Sequence, residues 1–420
     1  MLGSGDGEAE AGIVRVSGGL ASVALLLCWI PAVGASEPNE ELCYRRAPTH
    51  AGGAGADEFI GTPGDDVIHG YGGADVIEGR GGNDYICGGP GGDRLWGGAG
   101  TDHTSGDWGR DRILGGPDTD FLNGRSGDDY VHGNRGADVV TGGAGDDRVL
   151  GGAKTDELNG DCFTQSFPSD CGTGDDLLFG GRGEDYASGA GGNDTLWGGP
   201  GNDGLDGEPG VDSITAGPGH DNANGELVRG GPGRDDLSDD QDGRHNDVTL
   251  IGGAGDDELG VVYSERDHTL TGGPGNDFLH ASGGTVRYAG GDGRDVLATG
   301  PGDETIDGGR GRDVITFWLR WVSGGARIDL RRGTVEGDGW GADRLTGVES
   351  AWGTYGSDVL IGDRKWNVLL GQRGGDSIFG GRGDDILDGR RGNDELDGGR
   401  GDDICGGAEQ MRRCERTGGP

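Results

Sequence analysis

"GGPGGDRLWGGAGTDH", residues 88–103, holds two aspartates, Asp93 and Asp102, nine residues apart, each preceded by a glycine-rich run and followed by a short stretch. The same pattern extends outward in one phase. From Gly52 the chain divides without a gap into twelve nonapeptides ending at Asn159, among them GTPGDDVIH, GYGGADVIE, GRGGNDYIC and GGAGDDRVL. Self-similarity at a fixed short period marks a solenoid, in which each repeat is one supersecondary unit stacked on its neighbours. After the insertion GDCFTQSFPSDC, six more units run from Cys171 to Asn224. A looser region with intact units such as GGAGDDELG, GGPGNDFLH and GGRGRDVIT reaches Thr316, and a last regular block starts at Gly353.

Each unit reads as a turn followed by a strand. Glycines at positions 1, 2 and 4 allow positive φ and close backbone approach, so six residues can curl with their carbonyls toward one point. The aspartate at position 6 sets a carboxylate beside that point. Oxygen-only ligands, several of them carbonyls, without histidine or thiol, suit calcium better than zinc or copper. Positions 7 to 9 form a very short strand whose middle residue, such as Ile68, Ile77, Ile86, Leu95 or Ile113, points inward. One aliphatic per nine residues is a thin core, too little to offset the conformational entropy of ordering the unit. The chain is therefore expected to be largely disordered without calcium and folded with it.

Composition agrees with this. Of 420 residues 102 are glycine and only 31% are hydrophobic, which excludes a conventional large core, while 14 prolines without a three-residue register exclude collagen. Seventy-five acids against 35 bases give a formal charge of -40, so the folded chain needs counter-cations. The same charge argues against nucleic acid and anionic membrane surfaces as partners.

The aspartates at position 6 are the candidate metal ligands: Asp57, Asp66, Asp75, Asp84, Asp93, Asp102, Asp111, Asp120, Asp129, Asp138, Asp147 and Asp156 in the first block; Asp176, Asp185, Asp194, Asp203, Asp212 and Asp221 in the second; Asp235, Asp257, Asp277, Asp295 and Asp313 in the looser region; and Asp358, Asp376, Asp385, Asp394 and Asp403 in the last. Asn367 and Glu304 replace the aspartate in two units, and Thr104, Ala187 and Ala223 are weak inward residues. The stretches Gly225–Arg229, Asp239–Thr249 and Val261–Thr271 are expected to be looped or to hold longer strands without a site. In paired acids such as Asp65 with Asp66, one member is read as a ligand and the other as a solvated charge. His69 and His132 are read as surface residues.

These units match the GGxGxDxUx consensus, and the chain resembles the RTX, or hemolysin-type, calcium-binding repeat family over about residues 52–406; that consensus is itself a standard example of a nonapeptide β-helix repeat. The resemblance implies an all-β, right-handed parallel β-roll with two nonapeptides per turn and multiple Ca2+ between the glycine-rich loops. Asp66, Asp84 and Asp102 would line one edge and Asp57, Asp75 and Asp93 the other, and at about 4.8 Å per turn the first twelve units would span roughly 30 Å. Residues 317–352 break the register and resemble the strand-forming interruption of serralysin-like proteins, with Phe317, Trp318, Trp321, Trp340 and Trp352 packed along the roll.

Around the repeats, residues 20–30, LASVALLLCWI, are too short to span a bilayer but suit the core of a signal peptide cleaved before Ser36. The organisation read from the sequence is a signal peptide at 1–35, a capping segment at 36–51, repeats at 52–159, an insertion at 160–170, repeats at 171–224, an irregular repeat region at 225–316, the non-repeat segment at 317–352, repeats at 353–406 and a C-terminal tail at 407–420. Export favours disulfides, for which Cys162 with Cys171, Cys405 with Cys414, and Cys43 with Cys87 are one of fifteen pairings. No HExxH, GxSxG or P-loop is present, and Ser36–Ala51 leaves no room for a catalytic fold ahead of the repeats. The reading is a secreted, extracellular or cell-surface calcium-binding protein with a structural or matrix role, and not an enzyme. The competing reading is a secreted enzyme or toxin relative whose active part is lost or hidden in residues 225–352, and self-association through the roll's open ends is a third.

Overall fold

The computed structural model describes residues 46–161, 173–239, 247–262, 266–317, 324–337, 341–414 and 416–417. The expected leader, Cys43, Cys162, Cys171, Trp318, Trp321 and Trp340 lie outside these residues. Among the described residues there is no helix, and short strands stack as parallel coils of a β-solenoid with about 18 turns. Successive nonapeptides alternate between two sheets, so each strand pairs with the strand two units away. Ile68 lies opposite Ile86 in one sheet and Ile77 opposite Leu95 in the other.

The period of nine produces this alternation because each unit contains one strand and one reversal, and two reversals complete a turn. Position 8 points between the sheets. Ile68, Ile77, Ile86, Leu95 and Ile113 are 0% exposed, and the small residues Thr104, Ala187 and Ala223 are buried at the same position. Phe317 is buried beside the column, two residues beyond the position 8 residue Ile315 and opposite Thr299; Trp352 is half-buried opposite Leu370, and Cys405 fills an inward position while forming a disulfide with Cys414.

Strands of the second block such as Thr195–Trp197, Gly204–Asp206 and Ser213–Thr215 keep to the expected three residues, whereas most of those in the first block are longer. Tyr85–Pro90 and Arg94–Ala99 each hold six residues, covering positions 7 to 9 and the first three positions of the next unit. The glycines account for the difference. Without Cβ atoms the loop backbones of neighbouring turns approach closely enough to continue the ladder, as Gly89 does opposite Asp107. At position 4 the demand is stricter: Gly145 has φ +131°, and a Cβ there would fall on the Gly127 carbonyl.

Register survives three irregularities. Across the insertion the partner distance grows from 18 to 29 residues, yet Leu150 still meets Phe179 and Leu158 meets Ala187. At Leu227–Pro232 a unit is shortened, and Ile214 pairs with Val228. Beyond Phe317 the chain enters one sheet as a meander: Ala326–Asp329 runs antiparallel to Thr334–Gly337, which runs antiparallel to Gly341–Thr346. The outer two of these strands rejoin the parallel stack against Val359–Ile361 and Thr305–Gly311, while in the other sheet Val314–Phe317 pairs directly with Ser350–Trp352. His69, read as a surface residue, is buried instead, 2% exposed, in a strand where it lies opposite Cys87.

Candidate metal centres along the two edges

The reversals place the position 6 aspartates in two columns. One edge carries Asp66, Asp84, Asp102, Asp120, Asp138, Asp156, Asp185, Asp203, Asp221, Asp235, Asp257, Asp277, Asp295 and Asp313, and after the interruption Asp385 and Asp403. The opposite edge carries Asp57, Asp75, Asp93, Asp111, Asp129, Asp147, Asp176, Asp194 and Asp212, then Asp358, Asp376 and Asp394. Within each column the backbone N–H of one aspartate donates to Oδ1 of the aspartate one turn ahead, as from Asp93 to Asp111 and from Asp111 to Asp129, both at 2.7 Å.

The second oxygen is left over. Oδ2 of Asp84, Asp93, Asp102, Asp111, Asp120 and Asp129 is buried without a hydrogen-bond partner among the described residues. It faces the glycine that opens its own unit: a Cβ on Gly180 would stand 2.7 Å from both Asp185 Oδ2 and the Gly198 carbonyl of the next turn. A carboxylate oxygen and a carbonyl oxygen thus converge where no donor exists, and two acceptors there call for a cation. Among the described residues no three His, Cys, Asp or Glu side chains form a metal-holding group. A cation would therefore be held by one or two carboxylates completed by backbone carbonyls, a donor set that fits calcium.

Electrostatics point the same way. Burial, partly opposed by the backbone hydrogen bond from the preceding turn, and then the charge of neighbouring aspartates push the carboxyls up along the first block, Asp93 to about 6, Asp111 to about 7, Asp129 to about 8 and Asp147 to about 9. For Asp147 the charges of Asp129, Asp176 and Asp161 add to burial, and further along the column Asp194 returns to about 6. Asp138 stays at about 6, where the hydrogen bond from Asp120 N–H and then the charge of Lys154 oppose the effect of burial.

Where a column begins, its members are satisfied locally. Gly53 N–H donates to Asp57 Oδ2 at 2.7 Å, Thr62 N–H to Asp66 Oδ2 at 2.6 Å and Thr354 N–H to Asp358 Oδ2 at 2.8 Å. For Asp66 the hydrogen bonds from Thr62 and Thr49 outweigh burial and lower its pKa. Asn367 accepts from Asp363 N–H and donates Nδ2 to the Glu349 carbonyl, while Lys365 Nζ lies 2.9 Å from Glu349 Oε1. An amide and a lysine thus do at this level what a metal would have to do elsewhere.

The columns also differ in a way the nonapeptide pattern hides. Three glutamates take the aspartate's role: Glu226 accepts from Asp212 N–H, Glu349 from Asp313 N–H and Glu409 from Asp394 N–H. Glu226 belongs to the shortened unit GELVR, which keeps Gly225 but lacks the rest of the glycine-rich turn and so escapes the consensus. Beyond it, the equivalent places on this edge are held by Val248, His268 and Val286, all buried, with Val248 N–H donating to His268 Nδ1 at 3.2 Å. Burial holds His268 below the usual imidazole range. Glu304 and Asp343 then resume the column. Through these same turns the other edge runs unbroken from Asp235 to Asp313.

Position 5 is more than a solvated charge. Asp65 Oδ1 accepts from Asn83 N–H at 2.8 Å and Asn83 Oδ1 accepts from Thr101 N–H at 2.9 Å, forming an exposed ladder opposite in direction to the aspartate ladder beside it. Asp146, Asp175 and Asn193 continue the device elsewhere.

Comparison with protein families is in accord with this geometry. The family described as RTX calcium-binding nonapeptide repeat (4 copies) matches residues 51–86, 88–122, 105–140, 123–158, 172–205, 188–223, 197–237, 267–285, 287–315, 352–386 and 370–405, more than half of the chain. Comparison with curated proteins gave no match.

Proposed function

Because the chain belongs to the family of RTX calcium-binding nonapeptide repeats, we propose that its molecular activity is the binding of many calcium ions along both edges of the β-roll, coupled to folding, in a secreted protein with a structural or cell-surface role and no catalysis. The observation that carries the calcium reading is the row of buried aspartate Oδ2 atoms without a hydrogen-bond partner among the described residues, many of them, as at Asp185, beside a backbone carbonyl. Calcium would supply the missing positive charge; the chain's own contribution is to hold the carboxylates in register through the Oδ1 bonds. The sites fall where carboxylates succeed one another from turn to turn. On the edge of Val248, His268 and Val286 they are absent, so the looser region is loaded on one side only.

The test is circular dichroism of the chain titrated with calcium, from a chelating buffer to about 10 mM, roughly tenfold above the dissociation constants of weak extracellular sites, with magnesium as control. A coil-to-β transition with calcium alone is the expected result. A chain already fully folded in chelator, or one that magnesium folds equally, would overturn the coupling.

A further inference from the structure

The columns are built from position 6, but one carboxylate reaches them from position 2. The turn that carries Asp176 is opened by Gly160: a Cβ on Gly160 would meet Asp176 Oδ2 and the Gly189 carbonyl of the next turn, the same pair of acceptors that Gly180 faces on the other edge. Asp161 comes next in the chain, where the consensus has glycine. It is 3% exposed. Its Oδ2 accepts from Gly191 N–H at 3.2 Å, so the side chain reaches the glycine-rich loop that leads to Asp194, and its Oδ1 is buried without a hydrogen-bond partner among the described residues.

No cation pairs with Asp161 among the described residues, and residues 162–172, CFTQSFPSDCG, include no lysine, arginine or histidine. Acids at the same position of other units are matched or exposed. Asp107 accepts from Ser105 Oγ at 2.7 Å and lies 3.6 Å from Arg125 Nε, Asp363 accepts from Lys365 N–H at 2.7 Å, and Glu208 faces solvent. Burial pushes the Asp161 carboxyl up to about 6 against the Gly191 hydrogen bond; the charge of Asp194 adds to burial and the nearby Gly174 N–H works against it. A buried carboxylate with an oxygen left over and no cation of the chain beside it calls for one from solution.

We propose that Asp161 is a further calcium ligand outside the nonapeptide pattern, and that the level of the edge it joins, beside Gly160 and Asp176, holds the tightest ion of the roll and fills first. The affinity of oxygen-ligand calcium sites rises with the charge of the ligands, and this level has a carboxylate that the others lack. Asp161 and Asp176 remain two side chains completed by carbonyls, in keeping with the absence of a three-side-chain group among the described residues. The inference rests on the reading of the columns as calcium sites. Its consequence is an order of assembly: Arg148–Ala153 and Leu177–Arg182, paired across this junction, become ordered before the ends of the roll.

The test is equilibrium dialysis of the full chain against radioactive calcium, with free calcium set by chelator buffers from about 1 μM to about 10 mM, and hydrogen exchange read by mass spectrometry at each step. The parent should take up about one ion per chain at free calcium roughly tenfold or more below the midpoint of the rest, with protection appearing first in Arg148–Ala153 and Leu177–Arg182. Asp161→Asn keeps an acceptor for Gly191 N–H and should move that ion by about tenfold or more, into the main transition. Asp175→Asn removes an equal charge from the exposed position 5 of the same unit and should move it by less than about twofold. Variants are compared only where their circular dichroism at saturating calcium matches the parent, so loss of fold and loss of the site are separate results. A parent that binds all its calcium in one transition, an early ion that survives Asp161→Asn, or equal weakening by Asp175→Asn would overturn the assignment while leaving the calcium reading intact; a parent that binds no calcium would overturn both.

Discussion

Replacing Asp111 by asparagine should stabilise the metal-free chain and destabilise the calcium-bound one. Asp111 is 3% exposed; its Oδ1 accepts the Asp93 N–H at 2.7 Å and its Oδ2 has no donor. Burial, and then the charges of Asp93 and Asp107 working against the Asp93 hydrogen bond, raise its pKa to about 7 from 3.8. At about 1.36 kcal/mol per unit this is a penalty of ~4 kcal/mol for ionised Asp111 at pH 8, and roughly 2–4 kcal/mol after allowing for solvent screening. Asparagine keeps the Oδ1 acceptor, removes the charge and turns an amide toward the Gly124 carbonyl, which lies beside the same glycine as Oδ2. Asn367 shows such an amide already satisfied in the same kind of position. The assay is the trimethylamine N-oxide concentration needed to fold the chain in chelator, since this osmolyte strengthens burial, set beside the calcium midpoint of folding. Asp111→Asn should lower the first and raise the second, whereas Asp111→Ala, which strands the Asp93 N–H, should worsen both. An asparagine variant that is harder to fold in chelator, or that needs less calcium, would refute the reasoning.

Acidity should act with opposite signs on the two forms. Carboxyls raised from 3.8 to between about 6 and 9 give the metal-free fold stability that is complete below pH 4 and lost as pH rises through that range, so acidification in chelator should recover β-structure in circular dichroism, while in calcium the same protons should displace the ion. Gly180→Ala should remove the site beside it, because the added methyl meets Asp185 Oδ2 and the Gly198 carbonyl, and calorimetry should count fewer calcium ions per chain. Hydrogen exchange in chelator should find the longest-lived amides in Asp267–Gly275 and Thr285–Gly293, where Val248 and Val286 add apolar burial on an edge without carboxylates and Tyr288 adds it between the sheets; exchange as fast as in the first block would contradict this.

The sequence makes the period and its chemistry plain because position 8 and position 6 have single tasks. Ile77, Leu95 and Asp93 can be assigned from spacing alone. It conceals whatever depends on which turn lies next to which. Glu226 enters the aspartate column only because the shortened unit keeps its strand in register, and Val248 and Val286 look like strand residues until His268 between them identifies the column they share. The position 5 ladder is likewise hidden, since Asp65 and Asn83 are 18 residues apart and meet only across a turn. The meander of Ala326–Asp329 and Thr334–Gly337 carries strand-like residues, but its antiparallel pairing is a matter of topology that no local pattern encodes.

The bonds between turns, from the strand ladders to the Asp93–Asp111 contact, run along the axis of the roll. A pull on the two ends therefore loads the turns in series, and the weakest rung yields first instead of the whole stack sharing the force. Each released turn frees 18 residues, about 60 Å of extended chain, for the loss of one layer about 4.8 Å thick. Under tension such a molecule lengthens in steps, absorbing work at each one, and the calcium concentration around it sets the force at which the steps occur.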